Sequence, residues 1–315
     1  MWYRMGCCVL AMLLLSSCAT GSMETELVPY EEVPVVDTLS ADTETTAPVV
    51  PVETEPVVVS DPDAAIVYLS LGDSIARGFG LADVEGQRFS TIAKEYWFAH
   101  GIDDVTVYNA GVDGQDLWGV LDTVNEKADP AWADADVFSV SIGANHILAT
   151  VWSFLSTLSR QDLDDAATLC TAFTDAVTEA CAMFDAGLPL LIEDIHLLAP
   201  DATILFLTFY DPYAALPTEI PVGDSMVLVD SFLDAAVQQV NACICTAATA
   251  VDYVQVVDVY AAFAEDTASL VCVEAPDDSA PTAIDMGRMD PHPNAAGHKR
   301  IGELVGEAYL AALEK

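Results

Sequence analysis

Five short, almost unbroken apolar runs recur along the chain: AIVYLSLG (65–72), DVTVYNAG (104–111), ADVFSVSIG (135–143), ATILFLTFY (202–210) and VQVVDVY (254–260). They are rich in β-branched residues and too short for core helices. Their apolar character hardly alternates, as expected of strands covered on both faces. Helical spacing fills the intervals. Val229, Phe232, Leu233, Ala236, Val237, Val240 and Ile244 fall on one face of a helix. Ile301, Leu304, Val305 and Ala308 do the same after Pro293-Asn294. Strands alternating with helices predict an α/β domain built as a three-layer, doubly wound, five-stranded parallel sheet. The interval 145–200 is long for a single crossover. It predicts two or three helices, including 162–185 and 188–198, placed to cover one end of the sheet and shape a groove.

The first 63 residues follow other rules. MWYRMGCCVLAMLLLSSC carries one cation, Arg4, and then an apolar stretch shorter than the roughly 20 residues that span a bilayer. It closes on Leu15-Ser16-Ser17-Cys18, which resembles the lipobox of bacterial lipoproteins. That resemblance implies a signal peptide at 1–17, a diacylglycerol thioether on Cys18, and a lipid-anchored protein on the outer side of a bacterial cell membrane. Residues 18–63 are acidic and rich in Pro, Thr and Val, with prolines too frequent for a sheet interior. They read as a disordered tether that holds a domain at 64–315 away from the membrane.

Charge narrows the partners. Fifty acidic residues oppose ten basic ones, a formal net charge of -40 among 315 residues. Such a surface repels phosphate backbones and anionic headgroups, which excludes nucleic acid as a natural partner. Membrane attachment then has to come from acyl chains rather than from basic residues. The domain holds Cys170, Cys181, Cys243, Cys245 and Cys272, an odd set that leaves at least one thiol unpaired in an oxidising compartment. Cys243 and Cys245 point different ways on a helix and do not make a zinc pair. The cysteines read as buried and structural.

In open parallel sheets, ligands bind beyond the carboxyl ends of the strands, and there this chain places its polar breaks. The first run ends in Gly72-Asp73-Ser74, the second enters NAGVDGQD with Asn109, Gly111 and Gly114, and the third ends in Gly143-Ala144-Asn145-His146. MDPHPNAAGH brings His292 in just before the last helix. Together these blocks resemble the SGNH, or GDSL, family of serine hydrolases over about residues 65–315. The resemblance implies a flavodoxin-like fold, esterase or lipase activity, and no metal or organic cofactor. It assigns Ser74 as nucleophile and His292 as base. It builds an oxyanion hole from Ser74, Gly114 and Asn145, with Gly114 rather than Gly111 in the second block.

The chemistry fits those residue types. A serine hydroxyl needs a neighbouring base to become a nucleophile, and an imidazole titrates near working pH. A tetrahedral oxyanion needs donors already in place. Two positions depart from the family's pattern. The aspartate three residues before the histidine is Met289 here, so Asp290, Asp285 or a backbone carbonyl is left to orient His292. His146 stands where an aspartate usually follows the asparagine, and it adjusts the local network or lines the site without a catalytic role. Asn294 is placed to cap the last helix, His298 reads as decoration of its first turn, and His196 as a core-edge residue. Trp118, Trp152, Phe154, Tyr210 and Tyr213 follow strand ends and are candidates to line an acyl or sugar site.

Gly72-Asp73-Ser74-Ile75-Ala76 also approaches the nucleophile elbow of α/β-hydrolases. That fold puts its serine deeper in the sheet, and the fifth position here is alanine. The resulting expectation is an exported, lipid-anchored serine esterase. Its substrates would be acylated glycans, wall polymers or lysolipids. An acyltransferase and an inactive lipoprotein that binds a glycan or peptide are the alternatives. The oligomeric state is open.

Overall fold

The computed structural model describes residues 65–126, 128–147, 150, 154, 166–214, 219–222, 225–273 and 290–314; the side chains of 219–222 and 225–232 are outside that description. The expected signal peptide with Cys18, the expected tether, Trp152, Asp285 and Met289 lie outside the described residues.

The chain opens with β1 (Ile66–Gly72), the short helices α1 (Ser74–Arg77) and α2 (Val84–Gln87), α3 (Phe89–Ala99), β2 (Val105–Asn109) and α4 (Leu117–Glu126). A 3₁₀ turn at Pro130–Asp134 leads into β3 (Val137–Ser141), α5 (Ala166–Leu198) and β4 (Thr203–Leu207). An antiparallel hairpin of β5 (Glu219–Val222) and β6 (Ser225–Leu228) precedes α6 (Val229–Thr249) and β7 (Val254–Val257). The end of the domain is α7 (Val259–Ala264), α8 (Thr267–Leu270) and α9 (Ala295–Leu313). Each of the five apolar runs contains one sheet strand. The hairpin left no comparable pattern in the sequence.

Five strands form one parallel sheet in the order β2-β1-β3-β4-β7, the flavodoxin-like arrangement. The order reverses at β1, so the crevice between the carboxyl ends of β1 and β3 is the topological switch point. Both faces of β1 are covered. Tyr68 meets Trp97 of α3 edge-on at 5.1 Å, and Trp97 in turn meets Tyr309 of α9 at 5.2 Å. Alternation along the strand sends Leu69 and Leu71, both fully buried, to the opposite face. There α4, α5 and α6 pack in succession. Buried on two sides, such a strand needs apolar residues at every position, which is why the runs do not alternate.

One expectation is corrected. Segments 162–185 and 188–198 read as separate helices, yet α5 runs unbroken from Ala166 to Leu198, through Gly187 and Pro189; residues 162–165 lie outside the described residues. Pro189 removes one backbone hydrogen bond, the one to the carbonyl of Asp185. Both residues are exposed, so water can satisfy that carbonyl. Gly187 serves packing instead: a Cβ there would lie 2.1 Å from Leu117 Cδ2 of α4. Leu188, Leu191, Ile192 and Ile195 are buried beyond it, and their burial outweighs one lost bond. Among the described residues no helix is long and apolar enough to cross a membrane.

The contact of α3 with α9 has no room to spare. Trp97 Nε1 donates to the Gly306 carbonyl at 3.0 Å, and a Cβ at Gly302 would stand 2.5 Å from Ile92 Cβ and 2.6 Å from the Phe89 carbonyl oxygen. Gly302→Val is expected to cost about 2–3 kcal/mol by overpacking, against a helix-propensity gain of only a few tenths. Thermal denaturation should show a Tm lower by about 4–10 °C. An unchanged Tm would contradict this close approach.

Candidate active site

The site begins with how β1 ends. Gly72 pairs with Ser141 at the last register of β1 and β3. Its φ is +138°, and a Cβ would sit 2.1 Å from the Ser141 carbonyl oxygen, so only glycine lets the chain turn there. Asp73 then caps α1, its Oδ1 accepting from Ile75 N at 2.9 Å, and Ser74 becomes the first helical residue, at the rim of the sheet. Asp73 is buried, which pushes its carboxyl up to about 7 despite the Ile75 N–H and the nearby His292.

His292 arrives from the other end of the chain. Its Nε2 lies 2.9 Å from Ser74 Oγ across a separation of 218 residues, and its Nδ1 lies 2.5 Å from Asp290 Oδ1. The unusual spacing works because Asp290 Oδ1 also accepts the His292 backbone N–H, at 3.0 Å. This is an Asx turn, which brings a carboxylate back onto the residue two positions later. Asp290 therefore fills the geometric position that the sequence left open between it, Asp285 and a carbonyl. Burial raises its carboxyl, but the hydrogen bonds from His292 prevail and hold it below the usual carboxylate range.

Fixed neighbours secure the histidine loop. Tyr210 OH donates to the Pro291 carbonyl at 2.8 Å, and Cys272 N donates to the His292 carbonyl at 2.8 Å. Asn294 caps α9 as expected, its Oδ1 accepting from Ala296 N and Gly297 N, while its Nδ2 ties back to the carbonyls of Ser269 and Val271. Phe79, between Gly78 and Gly80, lays its ring 4.6 Å from the imidazole.

Ser74, Gly114, Asn145 and His292 share one cleft of about 810 Å³, counting its solvent-facing mouth. Gly114 has φ +74°, a conformation that favours glycine even though nothing crowds its Cβ position. Gly111 is the packing glycine of this loop, where a Cβ would meet Arg77 N at 2.5 Å. Asn109 orients the loop by accepting from Gly111 N and donating to the Ala76 carbonyl. Asn145 Nδ2 donates to the Gln115 carbonyl at 3.0 Å and, at a longer 3.4 Å, to Asp73 Oδ2. Asp113 of the same loop, at the cleft mouth, pairs with Arg77.

Several side chains stand elsewhere than expected. His146 does not line the cleft: its Nε2 lies 3.0 Å from the Ala180 carbonyl, and it ties the helical turn after β3 to α5. His298 is fully buried and stacked on Phe89, because the first turn of α9 faces the core. Burial, helped by the charge of His292, lowers it to about 4, so it stays neutral near neutral pH. His196 stacks on Tyr253 at 4.0 Å, at the core edge as read. Tyr210 and Tyr213 line the cleft, whereas Trp118 is an exposed residue of α4 and Phe154 packs on Phe173. The sequence reading missed Phe79 and Phe209; the Gly78-Phe79-Gly80 sandwich was the signal for the first. Of the five domain cysteines read as buried, Cys181 is buried, Cys170, Cys243 and Cys272 are half-buried, and Cys245 is exposed.

Residues 70–300 match the GDSL-like lipase/acylhydrolase family, and the chain belongs to it. Three solved structures share the fold at low identity. The lipase Lip_vut3 from a goat rumen metagenome is 17% identical, with TM-score 0.55, covering 78% of this chain and 97% of that one. Phospholipase A1 from Streptomyces albidoflavus NA297 is 19% identical, with TM-score 0.53 and coverage of 78% and 99%. An extracellular lipase from Streptomyces rimosus is 21% identical, with TM-score 0.51 and the same coverage. No curated protein matches the chain in sequence.

The lowered Asp290 carboxyl sets a pH dependence. A depressed folded value contributes stability that is complete above the unfolded value, about 3.9, and fades as pH falls through the folded value. Asp290→Asn should therefore lower Tm most at pH 6, with the deficit shrinking below pH ~4. Melting curves from pH 3 to 6 check this, and a deficit that grows on acidification would contradict it.

Proposed function

We propose that this protein is a serine esterase that cleaves carboxylic esters carrying an apolar acyl group. The observation that carries the reading is the continuous relay from Ser74 Oγ through His292 to Asp290. In the first step His292 Nε2 takes the Ser74 proton as Oγ attacks the ester carbonyl carbon. The imidazolium that forms keeps its Nδ1–H on the Asp290 carboxylate. His292 then gives its proton to the leaving alcohol, and an acyl group remains on Ser74. Water, deprotonated by His292, releases the acid and restores the hydroxyl.

The oxyanion falls to the backbone N–H groups of Ser74 and Gly114 and to the amide of Asn145. Both hydrogens of that amide are engaged in the resting site, one weakly. The 3.4 Å bond to Asp73 is the easier to give up when a full negative charge forms nearby.

The acyl class follows from the walls. Beyond the polar corner, the cleft is lined by Phe79, Ile147, Phe209, Tyr213, Leu233 and Val237. Aromatic and aliphatic walls favour an alkyl chain, by about 0.8 kcal/mol for each methylene fully buried. Export and lipid anchoring on Cys18 belong to the same proposal and rest on Arg4, the short apolar run and Leu15-Ser16-Ser17-Cys18. Incorporation of a labelled fatty acid in a bacterial host, lost in Cys18→Ser, tests the anchor; equal labelling of the variant would sink it.

A p-nitrophenyl ester series should give kcat/KM rising from acetate to chains of about six to eight carbons. Ser74→Ala should reduce turnover by about 10⁴-fold or more, and Asn145→Ala by on the order of 10²–10³-fold in kcat. An acetate optimum would overturn the acyl assignment, and full turnover by Ser74→Ala would overturn the mechanism.

A further inference from the structure

Behind the cleft, α5 and α6 lie side by side, and one position of their contact is a pair of thiols. Cys243 Sγ of α6 donates to the Cys181 carbonyl oxygen of α5 at 3.8 Å, which sets the two cysteines side by side across the contact. About one turn earlier on both helices, Thr178 Oγ1 and Gln239 Oε1 meet at 3.4 Å, so the helices run in register there. Cys181 is buried and Cys243 half-buried, whereas Cys245, two residues on, is exposed and on another side of α6. We propose that Cys181 and Cys243 are a disulfide-forming site that staples α5 to α6.

The exchange needs an oxidant, and a low-molecular-weight disulfide suffices. Cys243 is the more accessible of the two. Deprotonated, Cys243 attacks one sulfur of the oxidant, forming a mixed disulfide and expelling one thiolate. Cys181, giving up its proton, then attacks Cys243 Sγ, which forms the internal bond and expels the second thiolate. Two protein thiols become one disulfide, and the oxidant becomes two thiols. Burial pushes Cys181 up to about 12 and raises Cys243 as well, so the reaction is slow near neutral pH.

The placement gives the bond a consequence. On α5, the Ala180 carbonyl and Phe184 hold His146, the neighbour of Asn145. On α6, Leu233 and Val237 line the cleft, and Val240 packs where a Cβ on Gly143 would fall. A covalent link between the helices therefore fixes one wall of the cleft to the helical turn that carries Asn145. It also closes a long loop in the unfolded chain, the case in which a cross-link stabilises most. This inference does not rest on the esterase reading.

The test incubates the reduced full chain and its Cys245→Ser variant with oxidised glutathione at pH 8.5, followed by denaturing alkylation and peptide mapping. Residues 161–287 contain no Lys or Arg, so the protein is cut at Asp and Glu. The expected result in both proteins is one linked peptide pair containing Cys181 and Cys243, with Tm raised by about 5 °C or more. Cys243→Ser should lose both the link and the shift while melting cooperatively. Full alkylation of both thiols after prolonged oxidation overturns the proposal, as does stable linkage of Cys243 to another cysteine.

Discussion

A hydroxyl at residue 74 and an imidazole at residue 292 hold each other across a single hydrogen bond, with most of the domain lying between them in sequence. Neither side chain has a local reason to be where it is. The parallel sheet supplies the reason, because all its strands point their carboxyl ends at one edge and every loop after a strand emerges there. At the switch point β1 and β3 diverge in their connections, which opens the crevice that Ser74 and Asn145 enter. The α9 entry loop completes it from the far end of the chain.

That bond is short-range, so the frame must be stiff. On the serine side, the stiffness comes from Gly72, squeezed against the Ser141 carbonyl, and from Asp73 capping α1. The histidine side relies on backbone and tyrosine bonds: Tyr210 on Pro291, Cys272 on His292, Asn294 on Ser269 and Val271. Most of these partners are buried or half-buried, where water competes poorly and a fixed geometry is kept. Asp73 is the costly member. It is a buried carboxyl poised near neutrality, held close to where the proposed oxyanion forms, and it keeps an amide hydrogen of Asn145 occupied until that charge appears.

Much of this was legible in the sequence, for a physical reason. Strands covered on both sides must be apolar throughout, and the turns that end them must be polar and glycine-bearing. Both requirements leave local marks, so the five strands and the polar turns that hold Ser74, Gly114 and Asn145 could be read from the pattern, while the choice of these residues and of His292 came from the family resemblance. What stayed hidden depends on contacts distant in sequence. Pro189 marks a break only if nothing packs across it, and Leu117 against Gly187 is invisible from the α5 segment alone. His298 looks exposed until Phe89 is known to stack on it. The two-residue spacing of Asp290 and His292 looked like a defect because an Asx turn is a matter of backbone path rather than residue type. The apolar walls of the cleft come from the turn after α1, the segment after β3, the β4 loop and α6, four segments that share no motif.

The most direct measurement is the site of covalent trapping by an alkyl fluorophosphonate, which loses fluoride to an activated serine and leaves a stable adduct. Peptide mapping of the treated protein should find the phosphonyl group on Ser74 alone. The labelling rate should fall by at least about 10³-fold in His292→Ala, whose hydroxyl has lost its base. An unmodified Ser74 in the folded wild-type protein, or equal labelling with and without His292, would contradict the account.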